Sequence, residues 1–532
     1  MSQRKFSLPR AKFPEEVGVR GEVLKEFTAY AEENELEMHS LMVLRHGKVA
    51  LEWYNEPFSA DTPHAMYSIS KSITATAIGF AVSEGLLSLD DRMLDFFPEY
   101  PPKKPNPYFD KLTVRNLLTM RSGKQTDMLV QKGKIDWIEN YINAPWIFEP
   151  GTDFLYVNEN IFMLCAILHK ITKQTVIEFL TPRLFEPLGI EIPFWETDPK
   201  GVEAGGWGLQ LTTEDLAKIA DCYLHDGKSG KKQVIPAEWT KEATVNQLGE
   251  VKQRSLDPGY NSGYGYCFWM NDTEEFSYRM DGMFSQFAIN FPSYDATVVL
   301  TAAVAVEKYA RLALWNFFPS AFVAEQKKEE HPTPPAEHVL GSVPRSTRSQ
   351  MEQKIAGRTI HMRKKLLLNL VGMPVSMLPL SVTYMMTDRA GNIDNISFQF
   401  GEHDCTMRWN EKQEQNTVTC GMDGHYRYGQ MTLGGVDFKV CANAYWLTPD
   451  TLKVSVRPLE TVGKRSLRFK FKTGNRVTMK PSQTPTTAQI CETLKGSIPE
   501  IIDNALIAKI GQKIIGYAPI LVDAKHYGRF ID

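Results

Sequence analysis

The chain has 532 residues, 43% hydrophobic and 23% charged. That is the composition of a globular protein, and the length exceeds what one hydrophobic core usually serves, so at least two domains are expected. A formal net charge of -3 gives no electrostatic reason for a nucleic-acid partner. Seven cysteines, at 165, 222, 267, 405, 420, 441 and 491, contain no CxxC pair. They read as thiols in a reducing compartment, not as zinc ligands.

In chain order, the opening stretch MSQRKFSLPRAKFPEEVGVRGEVL starts basic but is broken by Pro9, Arg10, Lys12 and Pro14 before any apolar core develops. No secretion signal is expected, and the protein is expected in the cytoplasm. At 39–54, HSLMVLRHGKVALEWY, two apolar runs flank His46-Gly47, which is a hairpin signal. Helical spacing covers 68–84 and about 113–121, a mixed region runs to Tyr266, and alternating apolar strands are expected over 264–305. Residues 324–350 turn charged and rich in proline and serine, as a linker does.

Beyond the linker, 355–480 is dense in short alternating segments and turns, the signature of a small antiparallel barrel or sandwich. Within the same region, Leu366–Met386 is uncharged but carries Asn369, Gly372, Pro374 and Pro379. It reads as a pair of buried strands joined by a turn, and no membrane partner is expected. PEIIDNALIAKIGQKII, near the end, has the spacing of an amphipathic helix.

The chemistry-bearing stretch is MYSISKSITATAIGFAVSEG, residues 66–85. Ser68 and Lys71 are three apart, so on a helix starting near Ser68 they share one face, one turn from the positive end of the helix dipole. A serine hydroxyl is a poor nucleophile until a base takes its proton. A lysine serves as that base only when burial lowers its pKa, and the apolar helix behind it supplies such a setting. By itself S-x-x-K also describes an N-cap serine followed by a surface lysine. Downstream, FEPGTDFLYVN places Tyr156 and Asn158 two apart, pointing the same way if the segment is extended. A tyrosine near a lysine can relay protons, and an asparagine amide can orient both the lysine and a substrate carbonyl.

These residues resemble the serine β-lactamase/penicillin-binding-protein superfamily, in the class C β-lactamase-like branch that also holds family VIII carboxylesterases, D-aminopeptidases and 6-aminohexanoate-oligomer hydrolases. The resemblance is carried in order by SLMVLRHGKVALEWY, MYSISKSITATAIGFAVSEGLLSLDDRMLDFFPE, LTVRNLLTMRSG, PGTDFLYVN, LFEPLGI, GGWGLQLTTEDLAKIADCYLHDG and GYGYCFW, over roughly 13–310. It implies an α+β fold, an antiparallel sheet flanked by helices plus a helical subdomain, over 1–323. A linker at 324–350 and an all-β, barrel-like domain with a terminal helix at 351–532 would follow. By matching motif, Ser68 is the acylated nucleophile, Lys71 its partner, Tyr156 the second proton-transfer group, and Asn158 the residue that positions Lys71 and the scissile carbonyl. Ser70 and Ser72 are expected to pack the helix, and His64 to pack or hydrogen-bond.

The family's third element, Lys-Thr-Gly or His-Thr-Gly, occurs literally only at Lys472-Thr473-Gly474, which a strand ending in a polar turn explains without catalysis. The better positional match is Met280-Asp281-Gly282-Met283. There Asp281 and Gly282 line the substrate, and the Met283 N–H joins that of Ser68 as an oxyanion hole. Asp281 in place of the family's threonine puts β-lactam and carboxylate recognition in doubt, and Arg279 either restores a cation or pairs with Asp281. The resulting expectation is a serine hydrolase acting on small esters, amides or short peptides, with no metal or organic cofactor and with weak or absent β-lactamase activity. Homo-oligomerisation is left open. The rival expectation is a catalytically weak penicillin-binding-like module that binds peptides or assembles.

Overall fold

His46 and Gly47 both take left-handed φ, 53° and 68°, as a primed two-residue turn requires, and they join strands β1 (Met38–Arg45) and β2 (Lys48–Tyr54). This hairpin belongs to the first of two compact units, Met1–Tyr54, Pro63–Met128 and Lys134–His338. The second unit comprises Asn55–Thr62, Leu129–Gly133 and Val339–Asp532. The structure, a computed structural model, describes residues 7–125, 136–249, 258–260, 262–325, 343–363, 393–411, 414–433, 436–492, 509, 511–513, 516–517 and 523–531. The strand pair expected at 366–386 lies outside the described residues, as do most of the linker and most of the last helix.

Besides β1 and β2, the first unit contains the short pairs β3 (His64–Ala65) with β4 (Gln210–Leu211) and β5 (Lys228–Ser229) with β6 (Lys232–Gln233). Strands β7 (Trp269–Met270), β8 (Tyr278–Gly282), β9 (Gln286–Phe291) and β10 (Ala296–Ala302) complete an antiparallel sheet in the order β2-β1-β10-β9-β8-β7. Helices α1 (Val23–Glu33), α2 (Ile69–Ser83), α3 (Val114–Leu118), α4 (Trp137–Asn143), α5 (Asn158–Thr172), α6 (Val176–Leu180), α7 (Glu186–Leu188), α8 (Thr213–Leu224), α9 (Ala237–Ala243) and α10 (Glu307–Phe317) surround it.

One sheet face buries Leu41, Val43, Phe287, Ile289, Val298 and Leu300 against Val23, Leu24 and Phe27 of α1 and Ala310 and Leu314 of α10. Helix α8 packs on β1, β9 and β10, where Ser40 of β1 bonds Thr213 at 2.7 Å. Cover on both faces explains why β10 is buried at every position, its two threonines bonding Asn290 and Ser40. Helix α2 packs against α5, α6 and α9 and is buried from Ile69 through Ala81. The helix expected over 113–121 is shorter. It starts with a capping box between Thr113 and Asn116 and ends at Leu118, and Met120 is left-handed at φ 57°.

The second unit is a closed barrel with helix α11 (Met351–Ile355), whose Ile355 joins the barrel core. Its strands are β11 (Thr359–Met362), β12 (Ile393–Phe400), β13 (Asp404–Glu411), β14 (Glu414–Gly421), β15 (Arg427–Leu433), β16 (Val436–Thr448), β17 (Thr451–Pro458), β18 (Lys464–Phe471), β19 (Arg476–Thr484) and β20 (His526–Phe530). Nine of them run round the ring as β14-β13-β12-β11-β20-β19-β18-β17-β16, and a single parallel bridge, Gly421 to Asn443, closes β14 onto β16. The hairpin strand β15 hangs on β16 outside that ring. Alternate residues face inward, as β14 shows with buried Glu414, Asn416, Val418 and Cys420, the period a barrel wall imposes. The seven cysteines are buried thiols, and among the described residues no helix is long and apolar enough to cross a membrane.

The interior position of β1, between β2 and β10, sets an expectation for stability. Leu41 is 0% exposed and Leu312, on the outer face of α10, is 50% exposed. Leu41→Ala is expected to cost the first unit about 2–5 kcal/mol. Leu312→Ala should stay within about 0.5 kcal/mol of the parent. Denaturant unfolding of the two variants compares them directly, and equal effects would contradict the placement of β1 in the core.

Candidate active site

Ser68 is the N-cap of α2, with helical backbone angles (φ -71°, ψ -9°) and no side-chain capping bond. Its hydroxyl is therefore not occupied in ending the helix, and Oγ instead accepts from Lys71 Nζ at 2.8 Å. Tyr67, just before it, is left-handed at φ 46°, a conformation that costs a non-glycine residue about 1–2 kcal/mol. Such outliers persist where the surroundings over-determine them. The other polar residues of α2 tether distant loops. Ser70 accepts from the Leu209 N–H at 3.3 Å, Ser72 donates to the Cys267 carbonyl at 2.6 Å, and Thr74 donates to the Gly205 carbonyl at 3.2 Å. His64 is buried and bonds His39 across 2.8 Å.

Lys71 is 1% exposed. Its ammonium has three partners: Ser68 Oγ, Asn158 Oδ1 at 2.7 Å and the Gly206 carbonyl at 2.6 Å. Burial pushes its pKa down from 10.5 to about 7, with Cys267, Glu159 and Asp281 opposing part of that shift. Asn158 opens α5 after the extended Val157 (φ -127°, ψ 118°). Tyr156 and Asn158 thus flank an extended residue just as α5 begins, and both side chains reach Lys71. Gly206 comes close because it lacks a side chain: a Cβ there would lie 2.8 Å from the Asn158 carbonyl. Sequence reading gave Gly206 no role. The GGWG run marks a tight loop, but nothing local says which carbonyl meets the lysine.

Tyr156 is half-buried. Its ring lies 4.8 Å from Lys71 Nζ, stacks on Trp269 at 5.6 Å and meets Tyr264 edge-on. Burial among these groups holds its hydroxyl well above the ordinary tyrosine value, and a hydrogen bond with Ser68 acts in the opposite sense. At neutral pH the arrangement therefore offers a lysine near its titration midpoint and a protonated phenol on either side of one serine.

Asp281, Gly282 and Met283 lie at the end of β8, alongside this group. A Cβ on Gly282 would sit 2.4 Å from the Met66 carbonyl, so only glycine lets the strand pass so near the Ser68 turn. Met283, next in the chain, is 42% exposed. Arg279 and Asp281 form a buried ion pair, Nε to Oδ2 at 2.6 Å. The remaining guanidinium nitrogens donate to Asn271 Oδ1 at 2.6 Å and to the Met270 and Gly259 carbonyls. Arg279 thus pairs internally with Asp281. The structure also places two residues here that sequence reading missed: Tyr260, 3.5 Å from Asp281 Oδ1, and Glu307, which accepts from the Tyr260 hydroxyl. Lys472 belongs to the second unit, in the β18–β19 turn, where its N–H donates to Arg476 O at 2.8 Å and Gly474 is left-handed.

A β-lactamase family model matches residues 25–316. The 6-aminohexanoate-dimer hydrolase of Paenarthrobacter ureafaciens is 23% identical over 256 residues, covering 42% of this chain and 61% of that protein. Lovastatin esterase of Penicillium rubens is 26% identical over 294 residues, covering 41% and 72%. The match likewise spans 66% of the length of a Pseudomonas fluorescens β-lactamase. A solved Bacillus anthracis structure, a candidate 6-aminohexanoate-dimer hydrolase, superposes with a TM-score of 0.50 at 20% identity, over 60% of this chain and 87% of that one. At that identity the likeness speaks to the fold alone.

The lowered Lys71 value can be read directly. In protein carrying ¹³C-labelled lysine, the Lys71 Cε resonance is expected to titrate with a midpoint near 7, since burial disfavours the charged form. A midpoint near the ordinary lysine value of 10.5 would mean that the amine stays charged and cannot take a proton at neutral pH.

Proposed function

The chain belongs to the β-lactamase family, and from that premise we propose that it is a serine hydrolase cleaving small esters or amides through an acyl-enzyme on Ser68. One observation carries this reading. Lys71 Nζ has three neighbours, two of which, Asn158 Oδ1 and the Gly206 carbonyl, can only accept hydrogen bonds. A neutral amine has two N–H donors and one lone pair. In that form the two carbonyl oxygens would take the donors, and the 2.8 Å contact in which the ammonium donates to Ser68 Oγ would reverse, the lone pair accepting from the Ser68 hydroxyl. A base aimed at a nucleophile within hydrogen-bond reach is the arrangement covalent catalysis needs.

In the proposed cycle, Ser68 Oγ attacks the scissile carbonyl carbon as Lys71 Nζ takes the hydroxyl proton. The Ser68 and Met283 N–H groups would bind the oxyanion. Tyr156 would pass a proton to the departing alcohol or amine and take up the one held on Lys71, leaving the acyl group on Ser68 and the lysine neutral. Water then attacks the ester, giving its proton to Lys71, and that proton returns to Ser68 Oγ as the acyl–oxygen bond breaks and the carboxylic acid leaves. The third element bears on substrate choice. Arg279 is engaged by four protein acceptors and Asp281 stands where a substrate carboxylate would land, which supports neutral or amine-bearing substrates over β-lactams and free carboxylates.

Treatment with a fluorophosphonate probe followed by mass mapping is expected to label the Ser68 peptide, and well-folded protein without label would overturn the reading. With an active ester substrate, Ser68→Ala and Lys71→Ala should each remove nearly all turnover. The double variant should be little worse, because members of one catalytic unit are not additive; strictly additive losses would contradict the roles.

Matched esters bearing a carboxylate, no charge or an ammonium group test the substrate end. Like charges about 4 Å apart repel by roughly 4 kcal/mol at an effective dielectric near 20. With Arg279 cancelling part of this, the carboxylate ester is expected to be poorer by about tenfold in kcat/KM. Asp281→Asn should close that gap, and three equal rates in both proteins would place Asp281 away from the substrate.

A further inference from the structure

The turn from β8 to β9 runs against local preference. Phe284 and Ser285 are left-handed in succession, at φ 64° and 72°, where non-glycine residues seldom sit. Several bonds hold it. Gln286 Nε2 donates to the carbonyls of Met283, Phe284 and Ala302 at 3.2, 3.1 and 2.8 Å, and Ser285 Oγ donates to the Val304 carbonyl at 3.1 Å. Glu307, the first residue of α10, adds a clamp from the other side. Its Oε1 accepts the Phe284 N–H at 3.1 Å and its Oε2 accepts the Tyr260 hydroxyl. The Phe284 ring in turn meets Tyr67 edge-on at 5.4 Å, so the turn leans on the residue that directly precedes Ser68. Residue 283, whose N–H is assigned to the oxyanion hole, is one peptide unit from the Glu307 bond.

We propose that Glu307 is a positioning residue for the hydrolase reaction: by gripping the Phe284 N–H and the Tyr260 hydroxyl together it fixes the 283–285 turn, and with it the Met283 N–H that binds the oxyanion. The inference rests on the serine-hydrolase reading above. The carboxyl also titrates in a useful range. Burial first, and Asp281 of β8 second, push Glu307 up to about 8, against the opposing effects of Tyr260, Arg311 and the Phe284 N–H. Arg279 of β8 shares the neighbourhood of Tyr260 with Asp281, Glu307 and Arg311. At pH 7 Glu307 is thus held mainly neutral, its carbonyl oxygen Oε1 taking the Phe284 N–H and its acid hydroxyl at Oε2 donating to the Tyr260 oxygen, whose own proton then turns to Asp281. Its ionisation at higher pH sets a second carboxylate beside Asp281, next to the oxyanion donor, and that added negative charge opposes the one developing on the substrate.

The test uses the full chain and steady-state hydrolysis of an active ester by wild type, Glu307→Ala and Glu307→Gln. Glu307→Ala is expected to lower kcat by about thirtyfold or more with KM changed by less than about threefold, the pattern of an interaction made in the transition state. Glu307→Gln keeps an acceptor for the Phe284 N–H and should recover about tenfold of that loss. The pH profile supplies a readout that a merely structural residue would not move. Wild-type kcat/KM should rise through about 7 as Lys71 loses its proton and fall again above about 8 as Glu307 ionises. Glu307→Gln, which cannot ionise, should lose the falling limb, and this remains measurable if Glu307→Ala does not fold.

Undiminished kcat in Glu307→Ala, or a falling limb retained in Glu307→Gln, overturns the proposal. An inactive wild type that takes no label at Ser68 removes the hydrolase reading and this inference with it. An active, labelled wild type with indifferent Glu307 variants counts against Glu307 alone.

Discussion

Everything at the site follows from burying one amine. Lys71 is taken out of water among two carbonyl-type acceptors and a serine hydroxyl. Its fall from 10.5 to about 7 corresponds to on the order of 5 kcal/mol in favour of the uncharged form. That preference is only useful if the neutral amine is still fully hydrogen-bonded, since an unsatisfied buried donor would itself be costly. Asn158 at the start of α5 and the Gly206 carbonyl meet this requirement, and each is set by a backbone feature. One is a helix that begins a residue after an extended Val157. The other is a glycine with no Cβ to collide with the Asn158 carbonyl.

The same logic of internal compensation governs the strand beside Ser68. A lone arginine at 279 would be a ready anion receptor, yet Asp281, Asn271 and two backbone carbonyls absorb its fork. A buried pair of this kind adds little net stability once desolvation is counted. Its effect falls on which charges remain for a substrate to meet. Tyr260 and Glu307 extend the network from separate elements, so the chemistry presented at the end of β8 is assembled from parts 47 residues apart.

Local signals were legible where the physics is local. Ser68 and Lys71 are i and i+3 on one helix, and His46-Gly47 fits a two-residue turn whose φ values only a few residue types accept. The alternation in NTVTC of β14 marks a strand of a barrel or sandwich before any pairing is known. Tyr156 and Asn158 could be placed by resemblance, and the extended Val157 between them lets both reach Lys71. What could not be read depends on tertiary approach. No propensity announces that Met120 is left-handed and ends the helix early, that the Gly206 carbonyl faces Lys71, or that Glu307 reaches Phe284. The closure of the barrel through the one bridge between Gly421 and Asn443 is equally silent in sequence, because a bridge of one residue leaves no pattern.

The wide sequence separation of the tethers on α2 has a consequence for synthesis. Lys71 bonds a carbonyl 135 residues downstream and Ser72 one 195 residues downstream, while β1 finds its neighbour β10 only after Ala302 has been made. Closing loops of that length precedes any gain from the contacts they permit. A chain emerging from the ribosome therefore carries an uncommitted serine and an ordinary, charged lysine for most of its translation. The amine loses water beside the Ser68 hydroxyl only when β8 to β10 join the sheet and the loops at 206 and 267 settle on the helix. Late assembly of this kind leaves the Ser68–Lys71 pair unformed until the chain has passed residue 302.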